Sequence, residues 1–177
     1  MSLINRIKST IRDVADFPKP GIVFKDITPI LADPSLVREI IHALADPYRE
    51  KKIDAVAAVE ARGFIFGSLL AQELDCCFIP VRKAGKLPYK SRKQQYSLEY
   101  GSAEIEMHDD AIKSGWRVLV HDDLLATGGT ASATGHLIKS FDASIAGFSF
   151  LVNLGFLPGE AHLKEQFGIA ADFVLKY

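Results

Sequence analysis

Apolar positions along the chain recur first at helical spacing, then as short strand-like runs separated by helices. Leu3, Ile4, Ile7, Ile11 and Val14 share one side of a helix, which predicts an amphipathic N-terminal helix. FPKPGIVFKDITP breaks the pattern with three prolines and a glycine and is expected as an ordered loop. Asp33 and Pro34 supply an N-cap and a first-turn residue for a helix with Leu36, Val37, Ile40, Ile41 and Leu44 on one face. IDAVAAV reads as a central parallel strand, followed by a glycine-containing turn and a helix over about 63–74. CCFIPV, WRVLVHD, SIAGFSFLV and DFVLKY read as further strands, with a helix over about 129–141 among them. Strands alternating with helices predict an α/β fold, a mainly parallel central sheet flanked by helices.

One region departs from the alternation. Tyr96, Leu98 and Tyr100, then Ala103, Ile105 and Met107, repeat at period two around Gly101-Ser102, which predicts a β-hairpin over 94–108. The basic loop RKAGKLPYKSRK precedes it. No internal repeat or composition shift marks a second unit, so residues 1–177 are expected to form a single domain with the hairpin as its flexible part.

Composition narrows the class only modestly. With 48% hydrophobic and 24% charged residues the chain has the make-up of a soluble globular protein. A formal net charge of -1 gives no electrostatic reason to expect a nucleic-acid partner. The two cysteines, Cys76 and Cys77, are adjacent in an extended run, so their side chains should point to opposite faces; a reduced, buried pair is expected, not a disulfide. MSLINRIKST lacks the apolar core of a signal peptide, and no run reaches transmembrane length, so the expectation is a cytoplasmic protein with no membrane partner.

The chemistry concentrates in VLVHDDLLATGGT, residues 118–130. In an open α/β sheet, ligands bind beyond the carboxyl ends of the strands. Asp122 and Asp123 stand at such an end, and Ala126, Thr127, Gly128, Gly129 and Thr130 lead into the next helix. Free N–H groups and the helix dipole suit that turn to an anion, while the glycines allow close backbone approach. It has neither the lysine of G-x-x-x-x-G-K-[ST] nor the spacing of G-x-G-x-x-G. Carboxylates repel phosphate, so the acids make sense if the ligand carries hydroxyls, or a metal, one sugar's width from its phosphate. A ribose 5-phosphate satisfies both halves. A plain helix-capping turn with solvated aspartates is the competing reading, which the acid pair disfavours.

This segment resembles the phosphoribosyl-diphosphate motif of the type I phosphoribosyltransferases, and Leu124-Leu125-Ala126 is similar to the variant of that family's adenine-using branch. FPKPGIVFKDITP, VEARGFIFG, VRKAGKLP and YSLEYG agree with it in the expected order over most of the chain. The departures are His121, where the family usually has an apolar residue, and Ala84, in a stretch often more basic.

The resemblance implies a magnesium-dependent reaction of adenine with 5-phospho-α-D-ribose 1-diphosphate, giving AMP and diphosphate, in a homodimer. It implies that Arg62, with Arg82, Lys83 and Lys86, meets the diphosphate, the arginine at 82 by family analogy from a neighbouring subunit. A guanidinium suits bidentate phosphate contacts. Magnesium is expected to arrive with substrate and water as its main ligands rather than in a protein cage. Val23, Phe24 and Lys25 resemble the adenine-recognition segment: Phe24 stacks on the purine, backbone groups read its edge, and Leu124 closes the opposite face. Glu99 in SLEYG resembles the catalytic glutamate, exchanging a proton with adenine N7. A cis peptide between Ala61 and Arg62 is also implied. Valine at Gly128 is expected to block the phosphate and leave the fold intact. The rivals are a transferase for xanthine or hypoxanthine, and a regulator that only senses the sugar diphosphate.

Overall fold

The computed structural model describes residues 1–97 and 101–177. Helix α1 (Leu3–Thr10) is capped by the Ser2 side chain, which accepts from the Asn5 N–H. The chain then leaves the helical path. Arg12–Ala15 forms strand β1, paired antiparallel with β2 (Val23–Asp26), Val14 opposite Phe24. The predicted helix through Val14 therefore stops four residues early, and the predicted loop contains a strand. A long-range pairing suits β-branched Val14 better than another helical turn does.

Helix α2 (Pro34–Ala45) begins as expected, with Asp33 accepting from the N–H groups of Ser35 and Leu36. After it come β3 (Ala55–Val59), α3 (Gly63–Glu73), β4 (Cys77–Lys83), β5 (Ser91–Ser97), β6 (Ser102–His108), β7 (Arg117–Leu125), α4 (Gly129–Lys139), β8 (Ser144–Asn153), α5 (Gly159–Phe167) and β9 (Ala171–Lys176). Periodicity did not foresee α5. The β5–β6 hairpin starts at Ser91, three residues before the predicted 94.

Seven strands form one sheet in the order β5-β6-β4-β3-β7-β8-β9. The run from β4 to β9 is parallel throughout, and the hairpin joins antiparallel along β4. Both faces are covered, which is why β3 reads as a continuous apolar run. Ala55, Ala57, Val59, Val118 and Val120 pack with α4 and α5; Val56 and Leu119 pack with α1, α2 and α3. Cys76 and Cys77 are free, but the expected burial fails at Cys77, which is exposed where β4 begins. Among the described residues no helix is long and apolar enough to cross a membrane.

Candidate active site

The strand order reverses at β3. Its helix leads to β4 on one side, while β7 inserts on the other, so the carboxyl ends of β3 and β7 open side by side into a crevice. Glu60, Ala61 and Arg62 leave β3 there. Asp122 and Asp123 face it from β7, which continues to Leu125, so the acids belong to the strand and not to the loop after it. Gly63 makes this approach possible: a Cβ there would lie 2.8 Å from Asp122 Oδ1. The non-proline cis peptide lies between Glu60 and Ala61, one bond before the expected Ala61–Arg62.

Two carboxylates in one crevice repel each other. Asp122 Oδ1 accepts the Asp123 N–H at 2.8 Å, but burial and the neighbouring charge push the Asp122 carboxyl well above the usual range. Burial also raises Asp123, and Arg62 partly offsets this. Arg62 Nε stands 3.1 Å from Asp123 Oδ2, within ion-pair range, yet that buried oxygen receives no hydrogen bond among the described residues. An acidic pair with an unmatched oxygen is suited to hydroxyl donors or a cation.

The following turn supplies the opposite polarity. Gly128 caps α4 in the left-handed region at φ 84°, with no side-chain cap on the first N–H groups among the described residues. Asp122, Leu124, Ala126, Thr127, Gly129 and Thr130 help line a pocket of about 80 Å³ at that helix start. A Cβ at 128 would meet Gly159 Cα and O at 3.2 Å in a conformation side chains rarely adopt. Valine there would therefore distort the turn against α5, and the expectation that the fold survives it is withdrawn.

A second pocket, about 120 Å³, joins Asp122 and Thr130 to Glu60, Lys83 and Tyr96. Arg82 Nε pairs with Glu60 Oε2 at 2.8 Å within the same chain, and Arg82 Nη1 donates to the Lys86 carbonyl at 3.1 Å. Lys83 and Lys86 are exposed. Glu106, only 2% exposed, accepts from the N–H groups of Lys86 and Leu87 and from Ser91 Oγ, which bends the basic loop back over β6. These bonds outweigh burial and lower its carboxyl pKa. Sequence reasoning missed Glu60 and Glu106; Glu106 takes the polar phase of the alternating strand, between Ile105 and Met107, so periodicity assigned it to solvent although it is buried.

Arg62 also ties in the proline-rich segment. Its guanidinium lies 4.7 Å over the Phe24 ring and donates to the Lys25 carbonyl at 3.4 Å. Phe24 also meets Phe17 edge-on at 5.2 Å. The Lys25 ammonium points elsewhere, to Asp13 at 2.7 Å and over the Tyr177 ring, so what this residue turns toward Arg62 is its backbone. Val23 is 51% exposed beside Phe24. Leu124 is half-buried at the pocket of the α4 turn. Arg62 thus lies toward Phe24 and Asp123. Glu99 falls outside the described residues.

His121, just behind the acids, is fully buried, and burial pushes its pKa down to about 3. Its Nδ1 meets Ser149 Oγ at 3.4 Å and its Nε2 has no partner among the described residues. The unfolded chain therefore binds a proton between about 3 and 6.5 that the folded protein refuses, and stability falls as pH drops below 6.5. His121→Leu is expected to flatten that decline, by about 1.4 kcal/mol or roughly 3–6 °C in Tm one pH unit below the ordinary value. Parallel Tm curves for parent and variant between neutral pH and pH of about 5 would remove the idea.

The comparisons agree with this arrangement. Residues 26–160 match the family model described as a phosphoribosyl transferase domain. The adenine phosphoribosyltransferase of Nitrosococcus oceani is 52% identical over 162 residues, 92% of this chain and 95% of that protein. The crystal structure of adenine phosphoribosyltransferase from Rhodothermus marinus superposes with a TM-score of 0.93 at 48% identity, covering 99% of this chain and 98% of the other. The Saccharomyces cerevisiae enzyme, solved with an imino-altritol bisphosphate and adenine, has a TM-score of 0.86 at 37% identity over 98% and 97% of the two chains. The chain belongs to the phosphoribosyltransferase family, within its adenine phosphoribosyltransferases.

Proposed function

We propose that this chain transfers the phosphoribosyl group of 5-phospho-α-D-ribose 1-diphosphate to adenine, releasing AMP and diphosphate, with magnesium, as a cytoplasmic homodimer in purine salvage. The observation that carries the reading is the buried acid pair beside an uncapped helix start, with an aromatic ring and a guanidinium across the crevice.

In this reading the N–H groups of Thr127 to Thr130 and the two threonine hydroxyls hold the 5-phosphate. Asp122 and Asp123 accept from the ribose 2- and 3-hydroxyls; the Asp123 oxygen that lacks a hydrogen bond is suited to this. The pocket of Glu60, Lys83 and Asp122 takes the diphosphate, with Arg62, Arg82 and Lys86 as further cations to meet its charge. Magnesium, which fits a site rich in acids and phosphates, would neutralise charge on the departing diphosphate. Adenine lies on Phe24 and presents its edge to the backbone of residues 23–25. Such a strand pair leaves every second residue's N–H and C=O unpaired, one of each to read the amino group and ring nitrogen. As the bond from C1 to diphosphate breaks, adenine N9 supplies the new bond, Glu99 takes the N7 proton, and the acid pair faces the positive charge growing on the sugar. The yeast relative was solved with adenine and a bisphosphate together, the two kinds of ligand this reading requires.

Turnover with adenine, hypoxanthine and xanthine, each with the sugar diphosphate and magnesium, tests it. Adenine should be the substrate by a wide margin, because an oxo group leaves a buried backbone acceptor unpaired. Comparable turnover of hypoxanthine would overturn the assignment of the base.

A further inference from the structure

Strand β5 lies along α4 and touches both ends of that helix. At the far end, the Arg92 guanidinium stacks 4.0 Å over the Phe141 ring and donates to the Ser140 carbonyl. At the near end, Tyr96 reaches the turn that starts the helix. Thr130 Oγ1 lies 3.2 Å from the Tyr96 hydroxyl, and a Cβ on Gly129 would be 3.5 Å from the Tyr96 ring. The same ring packs against the core and lines the pocket shared by Asp122, Lys83 and Thr130. Tyr96 is thus where the hairpin strand meets the donor-rich turn.

We infer that Tyr96 is a positioning residue that couples occupancy of the phosphate turn to the order of the β5–β6 hairpin. This rests on the reading of residues 127–130 as a phosphate site. A hydroxyl carries one proton and two lone pairs. In the free protein Thr130 Oγ1 donates to the Tyr96 hydroxyl; with an anion on the turn that proton can swing to a phosphate oxygen while Thr130 accepts from Tyr96, giving a chain from Tyr96 through Thr130 to phosphate. Each bond in such a chain polarises the next, so an anion on the turn strengthens the grip of Thr130 on Tyr96. The hairpin, which bears the sequence around Glu99, is then held most firmly when the sugar phosphate is in place. A phenylalanine keeps the ring and its packing but breaks the chain.

Hydrogen exchange with and without ribose 5-phosphate, read on peptides from 91–97 and 102–108, tests this at saturating ligand, with affinity measured by calorimetry. In the parent, ligand should slow exchange on both strands. In Tyr96→Phe that slowing should disappear and affinity should fall by about 3–10-fold, the effect of one hydrogen bond, while the free protein loses no more than about 2–4 °C in Tm. Thr130→Val should also lose the protection and Thr130→Ser should keep it. In steady state, Tyr96→Phe should raise KM for the sugar diphosphate and leave KM for adenine unchanged. Equal protection in parent and Tyr96→Phe, or ligand that binds the parent without protecting the hairpin, overturns the coupling alone. Failure of ribose 5-phosphate to bind the parent at all overturns the phosphate reading and the coupling with it.

Discussion

Asp122→Asn is expected to give a protein that is more stable without ligand and far less active. The parent holds a half-buried and a buried carboxylate side by side, with Arg62 paired to Asp123. Asparagine at 122 keeps the oxygen that accepts the Asp123 N–H and turns an amide toward the neighbouring carboxylate. It removes a charge that burial and Asp123 both oppose. A gain of about 1 kcal/mol, or roughly 2–4 °C in Tm for a chain of this size, is the expected scale. The gain should depend on pH in a definite direction. The folded-state pKa is raised, so above 3.8 the folded parent binds more protons than the unfolded chain, and its stability falls as pH rises through that window. The advantage of asparagine should therefore grow from acid toward neutral pH, opposite in sign to the effect of His121. Activity should move the other way. A charge-assisted hydrogen bond to a ribose hydroxyl is worth about 1.5–3 kcal/mol, so kcat/KM for the sugar diphosphate should fall by about 10–10²-fold. Thermal unfolding across pH, beside steady-state kinetics, reads both arms. An Asp122→Asn protein that is less stable at neutral pH would show that the acids are solvated capping groups.

Asp123→Asn should not share that gain, because it leaves Arg62 without its partner beside Phe24. Two adjacent acids in one motif are therefore not equivalent. The sequence could say that 122 and 123 sit at a strand end. It could not say which of them meets an arginine that arrives from another strand.

The same boundary separates what was legible from what was not. Elements with dense local signals came out nearly residue for residue, as in α2 with its Asp33 cap and in β3 with its apolar run. Strand β1 did not, because Ile11 and Val14 fit a helical period as well as they fit a turn followed by a strand, and only Phe24 across the ribbon decides it. Helix α5 carries Leu163 as its buried leucine and has little periodicity to detect. In the crevice, the motif named the residues but not their partners. Glu60 holding Arg82, Glu106 holding the loop at Lys86 and Leu87, and Tyr96 meeting Thr130 all join residues at least 19 apart in sequence. No spacing rule reaches that far; the sheet register does, and it brings Arg82 opposite Glu106.

Glu99→Gln is expected to separate chemistry from binding. Glu99 stands in the sequence between the paired strands β5 and β6 and is not among the residues assigned above to the sugar diphosphate. Its removal should leave affinity for the sugar diphosphate nearly unchanged. A positioned acid–base group typically contributes about 10²–10⁴-fold, so kcat should fall by that range or somewhat less. Glutamine keeps the size and a hydrogen-bonding head, so what is lost is the exchange of a proton with adenine N7. The pH profile gives a second readout: a limb of kcat set by a carboxylate in the parent should vanish in the variant. Single-turnover rates decide the matter, because product release can conceal a slower chemical step in steady state. Should the chemical step run as fast in Glu99→Gln as in the parent, Glu99 is a bystander, and the N7 proton must leave to water.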